Sequence, residues 1–132
     1  MRTQIGETKK QMYPFKVESI HAILFCSNWN AIVTFYRDIL KFGVVDEKPG
    51  FVEFEVAAGS CIGLIRAAGR ASAGDIPVPM VLSFRVEDIK ETHRSLSERC
   101  KTITAIREHP WGALVFELKD PEGRRLEFWM SR

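Results

Sequence analysis

From Val17 to Met130 the hydrophobic positions follow two rhythms, one of period two and one near 3.6, and the order in which they recur predicts the elements. Residues 17–26, VESIHAILFC, alternate: Ile20, Ala22 and Leu24 share one face, and Ser19, His21, Ile23 and Phe25 share the other, which predicts a strand. Ser27-Asn28 then precedes Trp29, Ile32, Val33, Tyr36, Ile39 and Leu40, spaced by three and four, which predicts a helix capped by the Asn28 side chain and ending near Gly43. Three strands follow: one near Val44–Glu47, one over Phe51–Val56 with Val52, Phe54 and Val56 on one face, and one over Ser60–Arg66. After residues 67–79, rich in Ala, Gly, Ser and Pro, the order starts again. Met80–Val86 predicts a strand. Asp88 opens a helix with Ile89, Leu96 and Cys100 as its apolar positions. Strands are then expected at Lys101–Arg107, around Leu114, Phe116 and Leu118, and over Leu126–Met130. Asp120-Pro121-Glu122-Gly123 has the chemistry of a tight turn, so the last two strands should form a hairpin.

The order is βαβββ, linker, βαβββ. This divides the chain into a polar arm over residues 1–15 and one domain over 16–132, built of a first module (17–66), the linker (67–79) and a second module (80–130). The halves repeat a pattern and not a set of residues. A chain of 132 residues, 45% hydrophobic, can bury a core without disulfides or a structural metal. The formal charge of +2 leaves no electrostatic footprint for nucleic acid. No long apolar run predicts a membrane span, and the first fifteen residues do not resemble a secretory signal. Cys26, Cys61 and Cys100 lie far apart with no paired spacing, which points to a reducing, cytoplasmic compartment.

Several segments carry a resemblance. Phe35-Tyr36-Arg37-Asp38-Ile39-Leu40, Val86-Glu87-Asp88-Ile89, and Pro110-Trp111-Gly112 followed by Phe116 and by Asp120-Pro121-Glu122-Gly123-Arg124-Arg125-Leu126-Glu127-Phe128-Trp129 stand in the order and spacing of the vicinal oxygen chelate (glyoxalase/bleomycin-resistance protein/dioxygenase) superfamily, which the chain resembles over roughly residues 17–130. Lys41 departs from the pattern, because the family usually has glycine there; a change in helix termination is expected, not a change of fold. The resemblance implies an α+β fold in which tandem βαβββ modules form a curved eight-stranded mixed sheet, a cup, with helices on its convex face. It also implies a homodimer, because in related proteins a second copy often completes the cup.

Metal-dependent members resemble one another in ligand positions on the first and last strand of each module. In this chain those positions hold His21, Gly63, Val81 and Glu127. Imidazole and carboxylate bind divalent metals, whereas glycine and valine offer no donor, so His21 and Glu127 are an incomplete set. The same two residues are the candidate catalytic pair, able to move a proton if a substrate comes within reach. Phe25, Cys61, Ser83, Arg85, Trp111, Glu117 and Trp129 are the expected cup-lining, ligand-binding residues. Glu53 and Glu55 are expected to face solvent or an interface. The cofactor is either none or a divalent metal ion. Two function classes follow. One is a binding module holding a small molecule, aromatic ligands included, without chemistry. The other is a metal-dependent lyase or dioxygenase that uses His21 and Glu127 and takes a further ligand from elsewhere or from a second chain.

Overall fold

A computed structural model of the protein describes Pro14 and residues 17–67, 81–110 and 112–132. Most of the arm and of the linker, together with Met80 and Trp111, lie outside these residues. The described elements are β1 (Ile20–Cys26), α1 (Trp29–Thr34, running on as a π-helical turn over Phe35–Ile39), β2 (Gly43–Lys48), β3 (Phe51–Ala57), β4 (Ser60–Arg66), β5 (Leu82–Arg85), α2 (Ile89–Ser97), β6 (Arg107–Glu108), β7 (Ala113–Lys119) and β8 (Arg125–Ser131). They form two four-stranded mixed sheets of the same design, β1-β4-β3-β2 and β5-β8-β7-β6. In each sheet the first strand runs parallel to the last, and the last three strands form an antiparallel meander.

The alternation read from the sequence decides which face of each sheet packs. Leu24 and Cys26, Val52 and Phe54, Ile62 and Leu64 are buried in the first module, as are Phe116 and Leu118, Leu126 and Phe128 in the second. Together with Ile32, Val33, Phe35 and Tyr36 from α1 and Ile89 and Leu96 from α2, they form one cluster spanning both modules. Aromatic contacts run from Phe54 through Tyr36, Phe42 and Phe84 to Phe128 and Phe116, with ring centroids 5.0–6.5 Å apart, and so cross from one sheet to the other. Each such contact contributes about 0.5–1.5 kcal/mol beyond its buried area. Ile20, on the same face of β1 as the buried Leu24, is 68% exposed at the start of the strand.

A polar knot also joins the modules. The β7–β8 hairpin turns at Asp120-Pro121-Glu122-Gly123, with Gly123 at a φ of +86°. Asp120 Oδ1 accepts the backbone N–H groups of Glu122 (2.9 Å) and Arg124 (3.0 Å), closing the turn from within. Its Oδ2 accepts the Tyr36 hydroxyl at 2.9 Å and the Arg124 guanidinium at 3.0 Å. Arg124 in turn donates to the carbonyl of Phe25 at 2.6 Å. Glu122 Oε2 accepts the backbone N–H groups of Ser27 and Asn28, each at 2.8 Å. The carboxylate that satisfies the start of α1 therefore comes from the other module. The Asn28 side chain makes no capping bond, contrary to the sequence expectation.

The ends of both helices and the strand before β7 differ from the sequence reading. Helix α1 widens because the Leu40 N–H bonds the Phe35 carbonyl, five residues back, and the Phe42 N–H bonds that of Tyr36. The residue that ends it is Lys41, at a φ of +62°, and not Gly43, which already belongs to β2. Helix α2 begins as expected, with Asp88 Oδ1 accepting the Glu91 N–H at 3.1 Å, but it stops at Ser97. The strand expected over Lys101–Arg107 is reduced to Arg107–Glu108. The Thr104 hydroxyl accepts the N–H of Glu117 at 2.9 Å and that of Thr102 the N–H of Lys119 at 3.4 Å, so side-chain oxygens occupy donors that a regular ladder would use.

Two outcomes test these contacts. Lys41→Gly removes a left-handed cost of about 1–2 kcal/mol for an L-residue and adds unfolded-chain freedom of about 0.4–1 kcal/mol. A net gain of about 0.5–1 kcal/mol in urea unfolding is expected, and a loss would show that the lysine side chain contributes stability of its own. Asp120→Ala strands Arg124 and should cost about 3–5 kcal/mol, whereas Glu122→Ala should cost about 1–2 kcal/mol, as for a lost helix cap. Small losses in both, by the same measurement, would show that the knot does not hold the modules together.

Candidate functional site

The alternation that buries one face of each sheet turns the opposite face away from the helices. In the first module His21, Ile23 and Phe25 of β1 lie there beside Cys61, Gly63 and Ile65 of β4, and then Phe51, Glu53 and Glu55 of β3. Ile23 and Phe25 are 42% and 46% exposed, an apolar patch that the single chain leaves open.

His21 is the polar centre of this face. Its Nδ1 pairs with Glu53 Oε2 at 2.5 Å, and its Nε2 lies 2.8 Å from the Ser19 hydroxyl. Cys61 stands directly beside His21 in the β1–β4 register. Burial first, and then the negative charges of Glu53 and Glu55, push the Cys61 thiol above its ordinary value, so the bare site holds a thiol and not a ready nucleophile. Glu53 is the residue the sequence reading missed. Its half-buried carboxylate turns toward the sheet face and not to open solvent. Period two already placed Glu53 opposite the buried Val52 and Phe54, and His21 opposite Leu24. Only the strand order β1-β4-β3 shows that the two faces are the same one.

In the second module Glu127 of β8 accepts the Ser83 hydroxyl of β5 at 2.7 Å. His21 and Glu127 thus have separate partners, in separate sheets. Arg85, the odd residue of its strand, lies over the Trp129 ring, 5.2 Å from its centroid. Such a contact at an open site contributes about 0.5–1 kcal/mol and leaves the guanidinium charge available. Glu117 accepts from Arg125 at 2.7 Å and Arg107 at 3.4 Å, and these two bonds, Arg125 first, hold its carboxyl below the ordinary carboxylate value. Val115, two residues before Glu117 on the same face of β7, is buried. Trp111 lies outside the described residues. Phe25, Cys61, Ser83, Arg85, Glu117, Glu127 and Trp129 all project where the alternation puts them, on the helix-free faces.

The four positions at which metal-dependent relatives carry ligands do not form a donor set in this chain. Val81 and Gly63 have no donor atom. A Cβ on Gly63 would lie 2.9 Å from Ile23 Cδ1 and 3.3 Å from Phe51 Cε1, so a ligand side chain there would have to displace the ends of those two side chains. A divalent metal held by that pattern does not fit these residues.

The sequence model of the Glyoxalase/Bleomycin resistance protein/Dioxygenase superfamily matches residues 19–128, and the chain belongs to that superfamily. Similar solved structures include a glyoxalase/bleomycin resistance protein/dioxygenase from Nocardioides (19% identity, 95% of this chain and 89% of that chain, TM-score 0.70). They also include lactoylglutathione lyase from Agrobacterium tumefaciens (20% identity, 89% and 96%, TM-score 0.68) and TnmS3, an antibiotic binding protein from Streptomyces sp. CB03234 (18% identity, 92% and 100%, TM-score 0.69). At these identities the likeness establishes the fold. No curated protein matches the sequence significantly. No helix among the described residues is long and apolar enough to cross a membrane.

The Glu117 cluster generates a pH outcome. A carboxyl whose folded value is depressed contributes stability that is present above its unfolded value, near 4.5, and is lost as pH falls through the folded value. The stability difference between the native chain and Glu117→Gln should therefore be constant above about pH 5.5 and shrink on acidification. Denaturant unfolding across that range measures it, and a difference independent of pH would show that the two arginines do not act through the carboxylate charge.

Proposed function

We propose that this protein is a binding module that holds a small molecule, flat aromatic compounds included, in the cup formed by the helix-free faces. The observation that carries this reading is the contrast between its surfaces. The expected metal pattern is broken at Gly63 and Val81, while the same faces offer exposed Ile23 and Phe25 and a Trp129 indole beneath the Arg85 guanidinium. An aromatic platform beside a positive charge suits a planar ligand with an acidic or electron-rich group. The antibiotic binding protein TnmS3 offers a precedent on the same fold. The apolar residues left open on β1 and β2, Ile20, Val44 and Val45 among them, favour a homodimer in which a second copy closes the cup.

Isothermal titration of the full chain against a panel of flat aromatic antibiotics tests the proposal. Saturable binding that weakens by tenfold or more in Trp129→Ala is expected, from a protein that sediments as a dimer at micromolar concentration. Heat of binding for no member of the panel would overturn it.

A second reading is metal-dependent lyase or dioxygenase chemistry, with His21 and Glu127 joined by a donor from elsewhere in the chain or from a second copy. One observation favours it: two further donors, Glu53 and Cys61, stand at His21.

A further inference from the structure

β4 lies between β1 and β3, so three short side chains from three adjacent strands converge on the helix-free face of the first module. His21 and Cys61 are register partners, and Glu53 stands opposite Gly63, the next residue of β4 on that face. The His21 ring and the Glu53 carboxylate meet across the middle strand at 2.5 Å. One ligating atom from each of His21, Glu53 and Cys61 lies within 4.8 Å of the other two. Around a tetrahedral ion with bonds of about 2.0–2.3 Å, neighbouring ligand atoms stand roughly 3.3–3.8 Å apart. The histidine–glutamate pair has to open by about 1 Å and the thiol to close by a similar amount, which side-chain torsions alone provide.

We propose that His21, Glu53 and Cys61 form a site for a divalent transition metal of the zinc class, with its fourth position open toward the cup. The donor set selects the metal: imidazole nitrogen with a thiolate suits Zn, Co and Ni and disfavours Mg and Ca. Ligation through His21 Nδ1 leaves Nε2 on the Ser19 hydroxyl, which holds the ring in place, as partners beyond the ligands do in metal sites. On binding, the Cys61 thiol gives its proton to solvent and the sulfur bonds the ion; the His21–Glu53 hydrogen bond breaks and its proton leaves for solvent or, by a change of tautomer, for His21 Nε2, which then donates to the Ser19 hydroxyl. Two of the three ligands lie outside the family's four positions, and all three come from one sheet of one module. The site needs neither Glu127 nor a second chain, and it does not rest on the aromatic-ligand reading.

Titration of the metal-free full-length protein with Co(II), followed by absorption, tests the proposal. One equivalent should produce a thiolate-to-cobalt charge-transfer band with visible bands of tetrahedral intensity, and Zn should bleach both. Cys61→Ser should lose the charge-transfer band and Cys100→Ser should keep it. Glu53→Gln and His21→Ala should weaken binding by more than tenfold, and Ser19→Ala by about tenfold, the lower end for a partner outside the ligand set. Circular dichroism of each variant separates a lost site from a lost fold. No charge-transfer band in the native protein, or one that survives Cys61→Ser, overturns the proposal. So does cobalt uptake that depends on Glu127 and not on Glu53, which would instead assign the metal to the second reading. A cobalt band without binding of any aromatic compound keeps this site and removes the binding-module reading; the converse does the opposite.

Discussion

Two sheets that share no ladder of hydrogen bonds among the described residues must be joined by something else, and the buried carboxylate of Asp120 is where the joining converges. A charge with no exposed side-chain surface survives only if every lone pair is used. Asp120 meets that condition with two N–H groups of its own turn, the Tyr36 hydroxyl from the opposite module and the Arg124 guanidinium. Burial, then the neighbouring Asp120 charge and its hydrogen bond, push the Tyr36 hydroxyl far above its ordinary value, which keeps it a neutral donor at any physiological pH. The same burial pushes the adjacent Cys26 thiol up to about 11. The turn that closes one hairpin thereby holds the first helix and the end of β1 against the second module.

Around that knot the apolar core does the larger share of the work but is less particular. Leucine, isoleucine and phenylalanine pack wherever volume allows. Directional bonds do not. Glu122 on the Ser27 and Asn28 amides, and Arg124 on the Phe25 carbonyl, fix the end of β1 against the hairpin. This explains why the two helix-free faces, which carry the candidate chemistry, keep a defined relation to the core beneath them.

Those faces differ in character although they repeat one topology. The first gathers imidazole, carboxylate and thiol beside open apolar residues. The second engages its acids locally, Glu117 with two arginines and Glu127 with the Ser83 hydroxyl, and presents a tryptophan under an arginine. One topology used twice thus presents imidazole, carboxylate and thiol on one face and an indole under a guanidinium on the other.

The strands, their faces and the tandem order were legible in the amino-acid sequence, because alternation of period two is imposed by the backbone and needs no knowledge of neighbours. His21, Glu127, Arg85 and Trp129 could be placed on the helix-free side for the same reason. Partners could not. That His21 meets Glu53, that Glu122 caps a helix some ninety residues earlier in the chain, and that threonine hydroxyls replace a strand beside β7 all depend on which strands become neighbours. Lys41 was visible as a departure from the family pattern, but that it bears the left-handed turn itself emerged only when the helix widened before it. The sequence by itself determined which way each side chain points, since that is local stereochemistry. The tertiary structure alone decided what each one touches, since contact is set by strand order and by the buried charge that locks the two modules together.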